Sequence, residues 1–393
     1  MSGTKIINVE ATWVNVPISC NEQHVSDFGR ISSFDMTLVK ITLENGLRGY
    51  GEAKAAVGSQ GSCVSLAYII EQEMKPQLVG QDACSINAIW SQLYNGARNQ
   101  YAVRLGRSFH VLGRRGLWVS AMSGIDLALW DIAGKLHDVP VLQLLGGAVK
   151  DAVPGYASGG WAGTDGIGPQ LQSYVNQGFN SVKMRVGVMD TNVRESVARV
   201  SAAREHLGSD VEIMVDAHGT FDVKDARAFC EGVADCGIRW FEEPLSADNR
   251  KSMGTLKNAT SIPISMGESE FTVFDFQDLV DRDAADILQP DMAICGGLTE
   301  GTKISALAVA NQLELAPHCW GSAFSFAAGL TLAFLSPACR IVEYSLGTNP
   351  LLSQLVHETF DHKGGLFSAP NGSGWGLSVN EDFVKEFAMS GEA

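Results

Sequence analysis

Ile213-Met214-Val215-Asp216, Arg239-Trp240-Phe241-Glu242 and Ile264-Ser265-Met266-Gly267-Glu268 are three short apolar runs, each closed by a carboxylate. Successive carboxylates stand 26 residues apart, about the length of one strand, loop and helix of an α/β barrel. The series continues with Asp291, His318 and Glu343 at intervals of 23, 27 and 25 residues. Each of these closes a further strand-like segment: Ile287-Leu288-Gln289-Pro290, Leu313-Glu314-Leu315-Ala316 and Arg340-Ile341-Val342. In a barrel the C-terminal strand ends converge on one mouth, where active sites sit. Six consecutive units therefore aim a polar side chain at one point, the pattern expected of a metal-binding catalytic site.

Composition sets the frame around that pattern. A chain of 393 residues has room for a barrel of roughly 250 residues and a second region. Hydrophobic residues at 45% and charged residues at 19% are ordinary for a soluble protein. The chain has no apolar run of roughly 18 residues, and Met1-Ser2-Gly3-Thr4-Lys5 opens no signal-peptide core, so a cytoplasmic location away from membranes is expected. The eight cysteines form no C-x-x-C pair and read as reduced, small apolar residues. A net charge of −15 argues against nucleic acid, which favours a basic stripe. It leaves room for an anionic substrate, because a metal and a few cations can reverse the field inside one cleft.

Along the chain, Ile6–Pro17 and Met36–Leu43 read as antiparallel strands, with Glu44-Asn45-Gly46 as the hairpin turn into 47–50. Helical patterns follow at 63–78 and 85–98, and a helix over 120–136 is apolar on more than one side, which predicts burial. After Val153-Pro154 the pattern becomes strand–helix repeats, favouring a parallel sheet or barrel. The organisation expected is a capping region over 1–130, a barrel over 131–350, and a tail over 351–393 that returns to the capping region.

The ordered motifs Val182-Lys183-Met184-Arg185, Val215-Asp216-Ala217-His218, Phe241-Glu242-Glu243-Pro244, Met266-Gly267-Glu268, Gln289-Pro290-Asp291 and Pro317-His318 resemble the enolase superfamily. The similarity is to its mandelate racemase-like subgroup (the mandelate racemase/muconate lactonizing enzyme family), and within it to acid-sugar dehydratases. It covers essentially the whole chain. It implies an α+β capping domain, completed by the C-terminal tail, over a modified (β/α)7β TIM-like barrel. It also implies Mg2+, a homo-oligomer (a dimer or an octamer), and removal of a proton alpha to a carboxylate.

The chemistry can be assigned residue by residue. Removing that proton creates an enediolate, and a divalent cation on the substrate carboxylate opposes the developing charge. Hard oxygen ligands suit Mg2+, so Asp216, Glu242 and Glu268 are the expected metal ligands. Glu243 should point away from Glu242 because side chains alternate along a strand. The resemblance makes Asp291 and His318 the dyad that moves the proton, and an imidazole has a suitable basicity. Glu343 matches an acid that hydrogen-bonds the substrate carboxylate in some members. Lys183 and Arg185 should both face the barrel interior. Where the family commonly has Lys-x-Lys, this chain has Arg185, a poor base but a good carboxylate clamp, which weighs against two-base racemisation. His218 matches a histidine that assists departure of the β-hydroxyl in some dehydratases, with a hydrogen-bonding role around the metal as the alternative.

Substrate selection is expected in two polar loops of the capping region, carrying His24, Asp27 and Arg30, then Lys54, Ser59 and Gln60. Tyr156, Trp161 and Trp320 are further candidates for the cavity wall. The arginines at 104, 107, 114 and 115 read as a solvated surface or subunit contact. The reading that follows is a Mg2+-dependent dehydratase of sugar-acid catabolism, a hydro-lyase yielding a 2-keto-3-deoxy acid. A lactone cycloisomerase or hydroxy-acid racemase or epimerase is the alternative, and a non-catalytic metal-binding barrel a remote one. A zinc hydrolase barrel is disfavoured by the all-carboxylate ligand set.

Overall fold

Ile6–Pro17 (β1) and Ser33–Leu43 (β4) pair antiparallel, and Arg48–Ala53 (β5) adds to the other edge of β4. Between them Val25–Ser26 (β2) and Gly29–Arg30 (β3) form a small separate hairpin. These coordinates are a computed structural model. It describes the chain apart from residues 1–2, 22, 24, 27–28, 56–61, 97, 99–100, 102–103, 108–109, 111, 188–189 and 390–393. His24, Asp27, Ser59 and Gln60 lie outside the described residues.

The helix predicted over 120–136 runs from Leu117 to His137 and is buried on most of its circumference. One side lies on β5, where a Cβ on Gly51 would sit 2.3 Å from the Gly124 carbonyl oxygen and 2.6 Å from the Ala128 nitrogen. The approach is closed by backbone, so only glycine at 51 allows it. The other side reaches the barrel. Ser123 Oγ accepts from the Gly296 N–H at 2.9 Å, and Asp126 accepts from the Thr299 N–H at 3.0 Å. The expected division at 130/131 therefore falls inside one continuous helix.

Eight parallel strands form the barrel: Val153–Ser158 (β6), Ser181–Arg185 (β7), Glu212–Asp216 (β8), Ile238–Glu242 (β9), Ile264–Met266 (β10), Ile287–Leu288 (β11), Glu314–Leu315 (β12) and Val342–Ser345 (β13). Seven helices alternate with them, and β13 pairs with β6 in parallel to close the ring. This is the (β/α)7β arrangement expected. One detail differs: Glu343 is not past a strand end but second in β13, opposite Tyr156 of β6. The last strand starts later than its apolar run suggests because its pairing is set by β6.

The tail adds His362–Lys363 (β14) and Leu366–Phe367 (β15), the latter antiparallel to the start of β6. It also returns to the first strands. The Met389 N–H bonds the Trp13 carbonyl at 2.9 Å, and the Tyr50 hydroxyl donates to Glu381 at 2.7 Å. Among the described residues no helix is long and apolar enough to cross a membrane.

The close approach at Gly51 gives a direct test. Gly51→Ala should destabilise the protein by about 1–3 kcal/mol through overpacking. Gly113→Ala, where an added Cβ meets nothing within 4 Å, should leave the denaturant midpoint near that of the parent chain. Equal midpoints for both variants would contradict the packing described.

Candidate active site

Strand alternation decides what enters the barrel. Val182 and Met184 of β7, Ile213 and Val215 of β8, and Phe241 of β9 join the core beneath the helices. That leaves Lys183, Arg185, Asp216 and Glu242 on the axial side. Deeper in the barrel a buried plug of Tyr156, Met214, Trp240, Ile287, Ala316 and Ile341 fills the interior. Tyr156, expected in the cavity wall, belongs to this plug, edge-on to Trp240. Its place in β6 points it down the axis.

Above the plug the charged groups converge. Asp216, Glu242 and Glu268 each offer an oxygen within 4.8 Å of the others, and all three are buried. The Lys183 ammonium lies among them, 2.7 Å from Glu242 Oε1, 3.1 Å from Glu343 Oε1 and 3.4 Å from Asp216 Oδ2. Arg185 Nη1 reaches Asp216 Oδ1 at 2.8 Å. The second Glu242 oxygen accepts from Trp240 Nε1 at 3.1 Å and Gln289 Nε2 at 2.8 Å. Gln289 was quoted from the sequence only within the Gln289-Pro290-Asp291 motif and was given no role in the site. Three hard oxygens around a point that draws in a cation fit a divalent ion such as Mg2+.

Two imidazoles bracket Glu268. His218 Nδ1 is 2.8 Å from its Oε1 and His318 Nε2 is 3.3 Å from its Oε2. His318 Nδ1 pairs with Asp291 Oδ2 at 2.8 Å, while Asp291 Oδ1 accepts the Ala293 N–H at 2.7 Å. With Nδ1–H donating to Asp291, Nε2 is left to face the reacting side.

Electrostatics follow from crowding. Burial alone would lower Lys183, but Glu242 and Glu343 hold it well above its usual value. Burial would also lower His218 and His318. Glu268 outweighs it in both, and they rise to about 10 and about 9. In return His218 and then His318 overcome the burial of Glu268 and hold it well below the ordinary carboxylate range. Glu343, buried but facing Lys183, falls to about 2.

Glu243 departs from expectation. It does not point away: its carboxylate lies within 4.8 Å of the His218 and Glu268 ligand atoms. Its φ of +38° and that of His218, +46°, are left-handed, so alternation stops where the strands end. Burial, then the charge of Glu268, pushes Glu243 up to about 8. Nothing in the local sequence signals this turn.

A cavity of about 440 Å³ opens over these groups. Lys183, Arg185, Asp216, Glu268, His318 and Glu343 line it, together with Arg30, Lys54 and Trp320. Glu242 and Asp291 are buried beside these groups, and His218 is partly buried against Glu268. Trp161 and Trp320 meet edge to face at 5.6 Å, and Phe34 stands 6.4 Å from Trp320. Of the arginines read as surface, Arg114 stacks on Trp118 and Arg115 pairs with Asp275 at 2.7 Å.

Known proteins share this architecture along the whole chain. Residues 8–146 match the mandelate racemase / muconate lactonizing enzyme N-terminal domain, and residues 167–383 match the enolase C-terminal domain-like family. The D-galactarolactone cycloisomerase of Agrobacterium fabrum is 30% identical, over 90% of this chain and 91% of its own. The D-galactonate dehydratase of Pectobacterium atrosepticum is 32% identical, over 88% and 90%. A racemase from Streptomyces coelicolor, solved with bound magnesium, superposes with a TM-score of 0.84 at 27% identity, covering 98% of this chain and 100% of that one. The chain is an enzyme of the enolase superfamily and belongs to its mandelate racemase / muconate lactonizing enzyme family.

Proposed function

We propose that this enzyme dehydrates a sugar acid, removing the proton alpha to the carboxylate and expelling the β-hydroxyl to leave a 2-keto-3-deoxy acid. The observation that carries the reading is the pair of imidazoles bracketing Glu268, one of them oriented by Asp291. Dehydration needs one group to take a proton from carbon and another to give a proton to oxygen.

His318 Nε2 takes the alpha proton, its ring held by Asp291. Mg2+ on Asp216, Glu242 and Glu268 would supply positive charge opposite the carboxylate as the enediolate forms. Lys183 stands where it can hydrogen-bond that carboxylate, Glu343 holds the Lys183 ammonium in place, and Arg185 adds a fixed positive charge. The electron pair of the broken C–H bond then displaces the β-oxygen, which takes a proton from His218 and leaves as water. The resulting enol tautomerises to the keto acid. His218 Nδ1 is held by Glu268, so this step requires the imidazole to leave that contact.

Ring opening of a sugar-acid lactone or anhydro sugar uses the same residues, with a ring oxygen as the leaving group. The extended similarity to the D-galactarolactone cycloisomerase favours it as the second reading. Racemisation is disfavoured, because Arg185 occupies the second-base position and is tied to Asp216.

Proton NMR of a panel of sugar acids and lactones in D2O, with Mg2+ and with an EDTA control, tests the proposal. Metal-dependent appearance of a 2-keto-3-deoxy acid is expected. Deuterium at the alpha carbon with no loss of water would replace dehydration by isomerisation. No exchange across the panel would sink both readings.

The two histidines should separate the half-reactions. His318→Asn should abolish alpha-proton exchange, a loss of about 100-fold or more. His218→Asn should retain exchange yet lose elimination. Parallel loss of both in His218→Asn would remove the acid role.

Metal binding should release protons. Both histidines have raised folded values, so their pairing with Glu268 is complete below about 6.5, the ordinary imidazole value. It is lost as pH rises through about 9 to 10. A cation taking Glu268 lowers both, so Mg2+ affinity should rise from pH 7 to pH 9. Calorimetry in buffers of different ionisation enthalpy reads the protons directly; buffer-independent heats would contradict it.

A further inference from the structure

We propose that Lys54 is a positioning residue for the His318–Asp291 dyad, supplied by the capping domain, and not a group that grips substrate. The inference rests on the reading of His318 as the residue that moves the alpha proton.

The segment Glu52-Ala53-Lys54 at the end of β5 is clamped onto the barrel at both ends. Glu52 is buried, and its carboxylate accepts from the Ser322 N–H at 3.0 Å, the Ser322 hydroxyl at 2.6 Å and the Ser325 N–H at 3.0 Å. These are the free donors at the start of the barrel helix Ala323–Leu335, where a negative charge is favoured. Two residues later the Lys54 N–H bonds the Ala293 carbonyl at 3.1 Å, in the loop that follows Asp291. With its backbone held there, the Lys54 ammonium donates to the Trp320 carbonyl and stands 3.6 Å from Asp291 Oδ2.

That oxygen is the one bonded to His318. Asp291 is fully buried, so its charge needs compensation. The Ala293 N–H fixes one oxygen, while Lys54 and His318 share the other. Lys54 thus sets a positive charge opposite the buried carboxylate and holds its plane aligned with the imidazole. Its hold on the Trp320 carbonyl fixes the strand end that carries His318. The Lys54 side chain borders the cavity but is only 13% exposed, and both contacts direct its ammonium to protein oxygens.

The first test needs no substrate. In protein carrying ¹⁵N-labelled histidine, the hydrogen-bonded Nδ1 proton of His318 is identified by its absence in His318→Asn. In Lys54→Met the resonance should shift or broaden away, and in Lys54→Arg it should persist, with thermal melts confirming that each variant is folded. Should Lys54→Met fail to fold, Lys54→Gln keeps a donor without the charge and serves the same purpose. An unchanged resonance in the neutral variant overturns the proposal.

The second test follows alpha-proton exchange. Lys54→Met should lose about tenfold to a hundredfold in kcat with little change in KM, the cost of a displaced catalytic group, and Lys54→Arg should recover part of it. A raised KM at unchanged kcat would assign Lys54 to substrate binding instead. Failure of the parent enzyme to exchange any sugar acid would count against the proposed function, while the histidine resonance would still decide the role of Lys54.

Discussion

Six carboxylates, Asp216, Glu242, Glu243, Glu268, Asp291 and Glu343, are buried around one barrel mouth, and the structure depends on compensating them. An isolated buried charge is expensive, and like charges at close range are worse. The compensation comes from Lys183, Arg185, Lys54 and two imidazoles, each within 3.6 Å of at least one acid. Lys183, Lys54 and His318 each hold more than one partner. Lys183 serves three carboxylates, and Glu268 serves two histidines. Once the two imidazoles release their protons, the carboxylates outnumber the remaining cations and the cluster demands positive charge. That demand suits a divalent ion and a reaction in which negative charge develops on substrate oxygens.

The second constraint is the seating of the capping domain. Two buried acids from the first part of the chain, Glu52 and Asp126, sit on the N-termini of two successive barrel helices, Ala323–Leu335 and Leu298–Ala310. Each carboxylate satisfies backbone donors that a helix start leaves unpaired. Asp131 adds a third tie, accepting from the Tyr50 N–H, the Lys135 ammonium and the Trp375 N–H, so that strand, helix and tail meet at one carboxylate. The cap is thus held by directional bonds as well as apolar area, and it arrives in register with the dyad.

Much of the barrel was legible because strand periodicity is a local property. Val182, Met184, Ile213 and Val215 pack outward, and the polar residues between them had to face the axis. The reading failed where local rules end. Glu243 follows the last residue of β9 with a left-handed backbone, so alternation no longer places it, and it joins the site instead of leaving it. Tyr156, near the first barrel strand, was a candidate for the cavity wall, yet the depth of the plug decides its place. Lys54 looked like a loop cation facing substrate, but bonds to residues more than 200 positions away turn it toward Asp291.

The sequence by itself determined the strand–helix alternation, the axial position of Lys183, Arg185, Asp216 and Glu242, and the chemical nature of the ligand set. All of these follow from residue type and a two-residue period. The tertiary structure alone decided which charges neutralise which, that Glu268 stands between two imidazoles, and that one continuous helix joins the cap to the barrel. Those features depend on distances between segments far apart in the chain, and the burial that sets their electrostatics exists only once the strands have closed into a ring.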